Sequence, residues 1–144
     1  MDIKGMYEEG RYKELIERYA DNVDSLDEET KRYVLSSIDI VGQASREFFD
    51  LQDKYIQYQQ SGNMDDASYL QLLDDLSRNA FILDQQDLCI GALKDIYEFY
   101  KNKFSENDSQ TLNALYRLIM MFVKFQRYGE TEYYGVARPL HTVK

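Results

Sequence analysis

The sequence of 144 residues is poor in the residues that interrupt helices. It contains seven glycines and a single proline, and neither Asn-Gly nor Asp-Gly occurs as a hairpin signal. This scarcity disfavours β-rich folds and predicts an all-α protein. Because Cys89 is the only cysteine, an intramolecular disulfide is excluded, and with no leader pattern at the start we expect a cytoplasmic protein.

Long apolar runs and surplus positive charge are also missing. The longest apolar run, at positions 118–123, is far shorter than the ~18 residues that span a bilayer, so no membrane segment is predicted. Lysine and arginine number 17 against 26 acidic residues, which disfavours binding to a phosphate backbone. Residues 1–100 carry 10 basic and 22 acidic side chains, whereas residues 101–144 carry 7 and 4. Any basic surface is therefore expected near the C-terminus.

The residues of common catalytic and cofactor sites are scarce. The one histidine, His141, cannot by itself supply a catalytic triad, a His/Cys zinc site or a di-iron bundle. No phosphate-binding glycine motif occurs. Cys89 lies on an apolar stripe without a basic neighbour in sequence, as expected for a core residue. We predict no enzyme, no catalytic residue, no cofactor and no metal site. A carboxylate-based enzyme is a third-ranked alternative.

Apolar residues recur at helical spacing through the first half of the chain. The stripe of the first predicted helix, over about 12–20, consists of Tyr12, Leu15, Ile16 and Tyr19. A capping box, Ser25-x-x-Glu28, predicts the start of a helix that extends to about position 60. The sequence allows this helix to stop at Gly42 or to continue through it, because an interior glycine costs only ~1 kcal/mol, and we favour a kink or short break there. A turn is expected at 61–63.

The second half is predicted to contain helices from about Met64, after the polar segment 84–87, and over 110–127. The last of these carries two apolar stripes and is expected at the centre of the fold, buried on both sides. Its stripes are Leu112, Leu115, Tyr116, Ile119, Phe122 and Val123, and Ala114, Leu118, Met121 and Phe125. A short helix before Pro139 and a frayed tail at 138–144 complete a single domain over 1–144.

Two segments resemble the turn and second helix of a tetratricopeptide repeat. They are Gly10-x-Tyr12-x-x-Leu15-x-x-x-Tyr19 and Gly62-x-Met64-x-x-Ala67. The two glycines are not separated by a multiple of the ~34-residue repeat, so a regular array is contradicted. The resemblance implies an irregular helical-hairpin bundle or short solenoid of five to seven helices. It also implies the family's usual work, which is to bind peptides or partner proteins.

Tyrosine is abundant, with 13 residues, and its rigid ring with a polar tip suits both protein interfaces and helix–helix boundaries. The candidate partner-binding residues combine such tyrosines with the basic residues of the C-terminal region. They are Tyr55, Tyr58, Arg117, Lys124, Arg127, Tyr133 and Tyr134. The three bases are spaced to share one flank of a helix. Alternatively, these bases pair with the acidic remainder of the molecule.

These observations predict a protein-interaction module that captures a peptide or helix of a partner protein, as an adaptor, chaperone or inhibitor. The alternative is an acidic mimic of nucleic acid that blocks a basic protein, because residues 1–100 are strongly acidic. We expect a protein or peptide partner and possible self-association, without direct binding to nucleic acid or membrane.

Overall fold

Helices make up nearly all of the computed structural model, which describes residues 2–127 and Gly129. These residues form six α-helices and no strand, so the predicted all-α fold is confirmed. The helices are α1 (Ile3–Glu8), α2 (Tyr12–Tyr19), α3 (Glu28–Ser61), α4 (Asp66–Ile82), α5 (Gln86–Lys103) and α6 (Ser109–Lys124), with a 3-10 helix at Ala20–Ser25. The short helix and frayed tail expected beyond α6 lie outside the described residues.

Four of the helices are preceded by an aspartate whose side chain accepts a hydrogen bond from a backbone N–H group of the first turn. These aspartates are Asp2, Asp27, Asp65 and Asp108, and the bonds measure 2.7–2.9 Å. The bond from the Thr30 N–H lowers the pKa of Asp27. The predicted capping box at Ser25 is wrong, because Ser25 Oγ donates to the Asn22 carbonyl oxygen and Asp27 directly precedes α3.

Helix α3 continues through Gly42 without interruption, so the favoured kink or break there is wrong and the alternative of a continuous helix is confirmed. One interior glycine costs only about 1 kcal/mol relative to alanine. The face of α3 that packs on the molecule continues past it, from Val34 and Ala44 to Phe48 and beyond. The helix ends at Gly62, which adopts a left-handed conformation at φ +63°.

From α2 to α6, each helix packs against the next one in the chain. The main core lies on α4, α5 and the inner side of α6, where the buried side chains include Leu73, Ile90, Leu93, Leu118 and Phe122. Helices α4 and α5 therefore occupy the centre. The prediction that the helix over 110–127 is central is wrong, because α6 is the last helix of the stack and packs chiefly on α5.

The turn between α1 and α2 lies directly against α4. Gly10 has φ +79°, and a Cβ atom there would stand 2.6 Å from Cε2 of Phe81, so this position requires glycine for two reasons. Just after the turn, the ring of Tyr12 packs edge-on against Tyr7 of α1 at 5.4 Å. This contact joins α1 to α2. Among the described residues, no helix is long and apolar enough to cross a membrane.

Candidate partner-binding groove

One side of α6 presents large apolar side chains to solvent. Leu112, Tyr116, Met120 and Val123 follow one another at spacings of four, four and three, and their exposed fractions are 50%, 62%, 45% and 37%. The opposite side packs on α5 through buried residues such as Leu118. The expectation that both apolar stripes of this helix are buried is therefore wrong for part of the first stripe, in which Ile119 and Phe122 are buried but Leu112, Tyr116 and Val123 are exposed.

This exposed side borders a groove, called here the α6 groove, of about 650 Å³. Its floor and walls come from α6, the end of α4, one residue of α5 and the start of α2. The apolar side chains that shape it are Tyr12, Phe81, Ile82, Tyr116, Met120 and Val123. Gly10 lies against the Phe81 ring, and Tyr12, two residues later, lines the groove, so the α1–α2 hairpin completes it.

Every charged side chain among the described residues that line the α6 groove is basic: Arg78, Arg117 and Lys124. The two guanidinium groups are fixed from behind by Asp74, which lies 3.2 Å from Arg78 and 2.7 Å from Arg117. Arg78 also pairs with Asp75 at 2.6 Å. Because a guanidinium has five N–H donors in a planar fork, these pairs orient both groups and leave donors for a further anion.

Lys124 differs from the two arginines in its surroundings. Its ammonium group lies 4.6 Å from the centroid of the Phe81 ring, where the negative face of the ring attracts it. Within residues 2–127 and 129, no carboxylate forms an ion pair with Lys124. Among the described residues, the positive charge at the aromatic end of the groove therefore has no ion-pair partner.

The structure brings together some of the predicted partner-binding residues and separates others. Arg117 and Lys124 line the α6 groove, whereas Arg127 lies outside it and pairs with Asp87 of α5 at 2.9 Å. Arg117 and Arg127 therefore both form ion pairs with acidic residues of the same chain, as the alternative interpretation of these bases predicts. Tyr133 and Tyr134 lie outside the described residues.

Tyr55 and Tyr58 lie half-buried where α3 meets α4 and α5. The Tyr55 hydroxyl donates to Oδ2 of Asp95 at 2.5 Å, and burial, together with this carboxylate, raises the pKa of Tyr55. Tyr58 stacks on Tyr69 at 4.1 Å, and burial, with the Asp95 charge, raises the pKa of Tyr69 to about 12. Both rings join neighbouring helices, and their participation in partner binding stays a prediction.

Cys89 is fully buried in the core, and this burial raises the pKa of its thiol to about 12. The group is therefore a neutral thiol at physiological pH, as the sequence indicated for a core residue. In the part of the chain that the structure describes, no three His, Cys, Asp or Glu side chains come together as a potential metal site.

The sequence prediction missed most of the apolar groove. Tyr116, Met120 and Val123 carry a readable signal, because they follow helical spacing on one side of α6. Tyr12 and Phe81 carry none, since they come from distant parts of the chain and meet only through the packing of α2 against the end of α4.

Comparisons of the chain with family models, with curated proteins and with solved structures gave no match.

Proposed function

We propose that this protein is a protein-interaction module that captures an amphipathic, acidic helix or peptide of a partner in the α6 groove. The observation that carries the proposal is the combination of an apolar groove with exclusively basic charged lining among the described residues, in a chain whose net charge is −9. Adaptors, chaperones and inhibitors all work by such capture.

The apolar side chains of the groove would contribute binding free energy when a partner covers them. Tyr116 and Met120 present large side chains to solvent, and covering them removes apolar surface from water at roughly 25 cal/mol per Å². Methionine has a flexible side chain that can adapt to the shape of a partner, and tyrosine supplies a rigid ring with a large apolar contact area. An amphipathic helix would lay its apolar side into such a groove.

The charged part of the groove supplies orientation. Arg78 and Arg117 are held in place by Asp74, and Lys124 is attracted by the Phe81 ring, so the three cations keep fixed positions around the apolar surface. Carboxylates flanking the apolar face of a partner helix would meet them. Such complementary charges increase the association rate and reject basic partners.

The resemblance to tetratricopeptide repeats supports the same function at one of its two sites. At the first site, Gly10 turns the chain, Tyr12 packs back on α1 and Leu15 is buried, as the repeat pattern requires. At the second, Ala67 is exposed instead of packed, so the likeness is partial. We infer a tetratricopeptide-like hairpin in α1–α2, which contributes Tyr12 to the groove.

The proposal can be tested with synthetic helical peptides of one design. One peptide carries leucine on one face and glutamate elsewhere, a second replaces each glutamate with lysine, and a third scrambles the leucine positions. We expect fluorescence anisotropy to show that the first peptide binds at least about tenfold more tightly than the lysine peptide, whose charges oppose the groove, and that the scrambled peptide does not bind. Equal binding of the acidic and basic peptides would contradict the proposed partner chemistry.

Variants of the protein locate the binding surface. Met120→Glu and Lys124→Glu should each weaken binding of the acidic peptide, the first by interrupting the apolar surface and the second by reversing its charge. Leu88→Glu is the matched control, because Leu88 is equally exposed, at 45%, but lies outside the groove. Binding that responds to Leu88→Glu and not to the two groove variants would exclude the α6 groove.

A further inference from the structure

Helix α3 has an exposed apolar stripe of its own. Leu35, Ile38, Phe49 and Ile56 are 44%, 40%, 71% and 49% exposed. They belong to a row with alternating spacings of three and four, called here the α3 stripe: Leu35, Ile38, Gly42, Ser45, Phe49, Gln52 and Ile56. The row is about 32 Å long at ~1.5 Å per residue. None of its residues lines the α6 groove.

The α3 stripe is distinct from the side of α3 that packs on the rest of the molecule. The inward side begins one position earlier, with Val34, Ser37 and Ala44, all of them buried. One position is about 100° around a helix, so the α3 stripe lies on the flank of the helix. Alternating spacings of three and four are the pattern by which two helices pair along their length.

The charges beside the α3 stripe alternate in sign. Asp39, Arg46 and Asp53 each directly follow a residue of the α3 stripe, and Arg32 continues the same seven-residue spacing one step before them; all four are exposed. Within the described chain, none of the four forms an ion pair, although many other charged residues do. Seven residues make two helical turns, so the four charges form a line along one edge of the stripe.

We propose that the α3 stripe pairs with the same stripe of a second copy of this chain, antiparallel, with the two-fold axis between Gln43 and Ala44. In this register Ile38 meets Phe49 of the second copy, and Leu35 meets Gln52. Gly42 and Ser45 face each other across the axis, and their small side chains let the two helices approach closely.

The alternating charges select this register and direction. Arg32 lies opposite Asp53 of the second copy, and Asp39 lies opposite Arg46, so all flanking pairs have opposite signs. Shifting the helices by one heptad in either direction instead brings like charges together, such as Asp39 with Asp39 or Arg46 with Arg46. A parallel pair would place this line opposite the uncharged positions 34, 41, 48 and 55, and would gain no ion pair.

The test is the mass of the full chain in solution, measured by sedimentation velocity from micromolar to near-millimolar concentration. We expect a species of twice the 17.1 kDa chain mass to form as concentration rises. Phe49→Glu should abolish it while leaving the thermal melt of the monomer unchanged, because Phe49 is 71% exposed. A protein that stays monomeric throughout, or a dimer that survives Phe49→Glu, would overturn the proposal.

Charge reversal tests the register. Arg46→Glu and Asp39→Arg should each weaken the dimer by at least roughly tenfold, because each places like charges opposite one another. The double variant Asp39→Arg with Arg46→Glu restores opposite signs and should recover the dimer. A double variant that is weaker than both single variants would contradict the antiparallel pairing.

Cysteine cross-linking tests the direction, since Cys89 is buried and does not compete. Mixing Leu35→Cys protein with Gln52→Cys protein under oxidising conditions should give a cross-linked pair of one of each. Neither variant alone should cross-link. Cross-linking of Leu35→Cys protein with itself would show a parallel pair and refute the arrangement.

Discussion

Helices α3 and α6 both expose an apolar row to solvent, yet the charged residues around the two rows differ. Along α3, the flanking charges alternate from Arg32 to Asp53 and make no ion pair within the described chain. Around the α6 groove, the lining charges that the structure describes are all basic, as at Lys124. Both rows expose apolar side chains, and in our proposals the charges beside each row select the kind of partner.

An alternating row is complementary to itself when reversed, whereas a row of one sign repels a copy of itself. These charge patterns are the reason why we propose a second copy of the chain as the partner of the α3 stripe and an acidic partner for the α6 groove. The comparison requires that the exposed rows of α3 and α6 lie on the surface of the monomer and that the neighbouring rows of each helix lie in its core. Substitutions at neighbouring positions on each helix can test this directly.

The largest effect is expected on α6, where neighbouring residues face opposite environments. Ile119 is buried and Met120 is 45% exposed. Ile119→Asp should destabilise the fold by at least about 4 kcal/mol, because it places a carboxylate among apolar side chains with no partner. Circular dichroism should show no cooperative melt for this variant.

Met120→Asp is the matched control and should leave the melting temperature nearly unchanged. A cooperative wild-type melt for Ile119→Asp would show that the inner side of α6 is not core. Loss of the melt in Met120→Asp would show that the α6 groove belongs to the interior, and the comparison between the two helices would then fail.

An intermediate effect is expected at Phe48 and Phe49 of α3. Phe48 packs against the main core and is partly buried, whereas Phe49 is 71% exposed. Phe48→Ala should cost roughly 2–3 kcal/mol, somewhat less than the ~3–5 kcal/mol of a fully buried phenylalanine. Phe49→Ala should cost under about 0.5 kcal/mol in the monomer. Equal losses in urea unfolding would mean that both sides of α3 are buried.

Sequence reasoning predicted the helices well because periodicity reports which residues can share a face. The stripe of Tyr12, Leu15 and Tyr19 corresponds to α2, and the turn at 61–63 corresponds to the end of α3. Sequence reasoning was less accurate where the local structure depends on a single residue. At the start of α3, Asp27 takes the capping role in place of Ser25, and at Gly42 the packing of the surrounding helix outweighs the small cost of a glycine.

Periodicity does not distinguish an apolar row that is buried in the core from one that is exposed to solvent. On α6, Leu118 and Met120 are both apolar residues in a helical pattern, yet only the first is buried. Predicting burial on two sides therefore placed α6 at the centre of the fold. The basic residues Arg117 and Lys124 were found from their spacing, but their meeting with Tyr12 depends on tertiary packing.

The smallest effect is expected at Gly42, and it separates folding from pairing. A Cβ atom at this position would meet only the flexible guanidinium of Arg46, at 3.4 Å. Gly42→Ala should therefore stabilise the monomer by up to about 1 kcal/mol through helix propensity, which would appear as a small rise in melting temperature at low concentration. A lower melting temperature would mean that the fold itself requires glycine there.

The same substitution should weaken the proposed dimer, because its methyl group enters the closest contact between the two α3 helices. Gly91→Ala on α5 is the matched control, since a Cβ atom there has no neighbour within 4 Å. It should stabilise the monomer to a similar degree and leave self-association unchanged. Opposite responses of folding and pairing at Gly42 alone would show that glycine is kept at this position for the approach of a second helix. If Gly42→Ala and Gly91→Ala change monomer stability and self-association in the same way, the glycine at position 42 has no special role in the dimer.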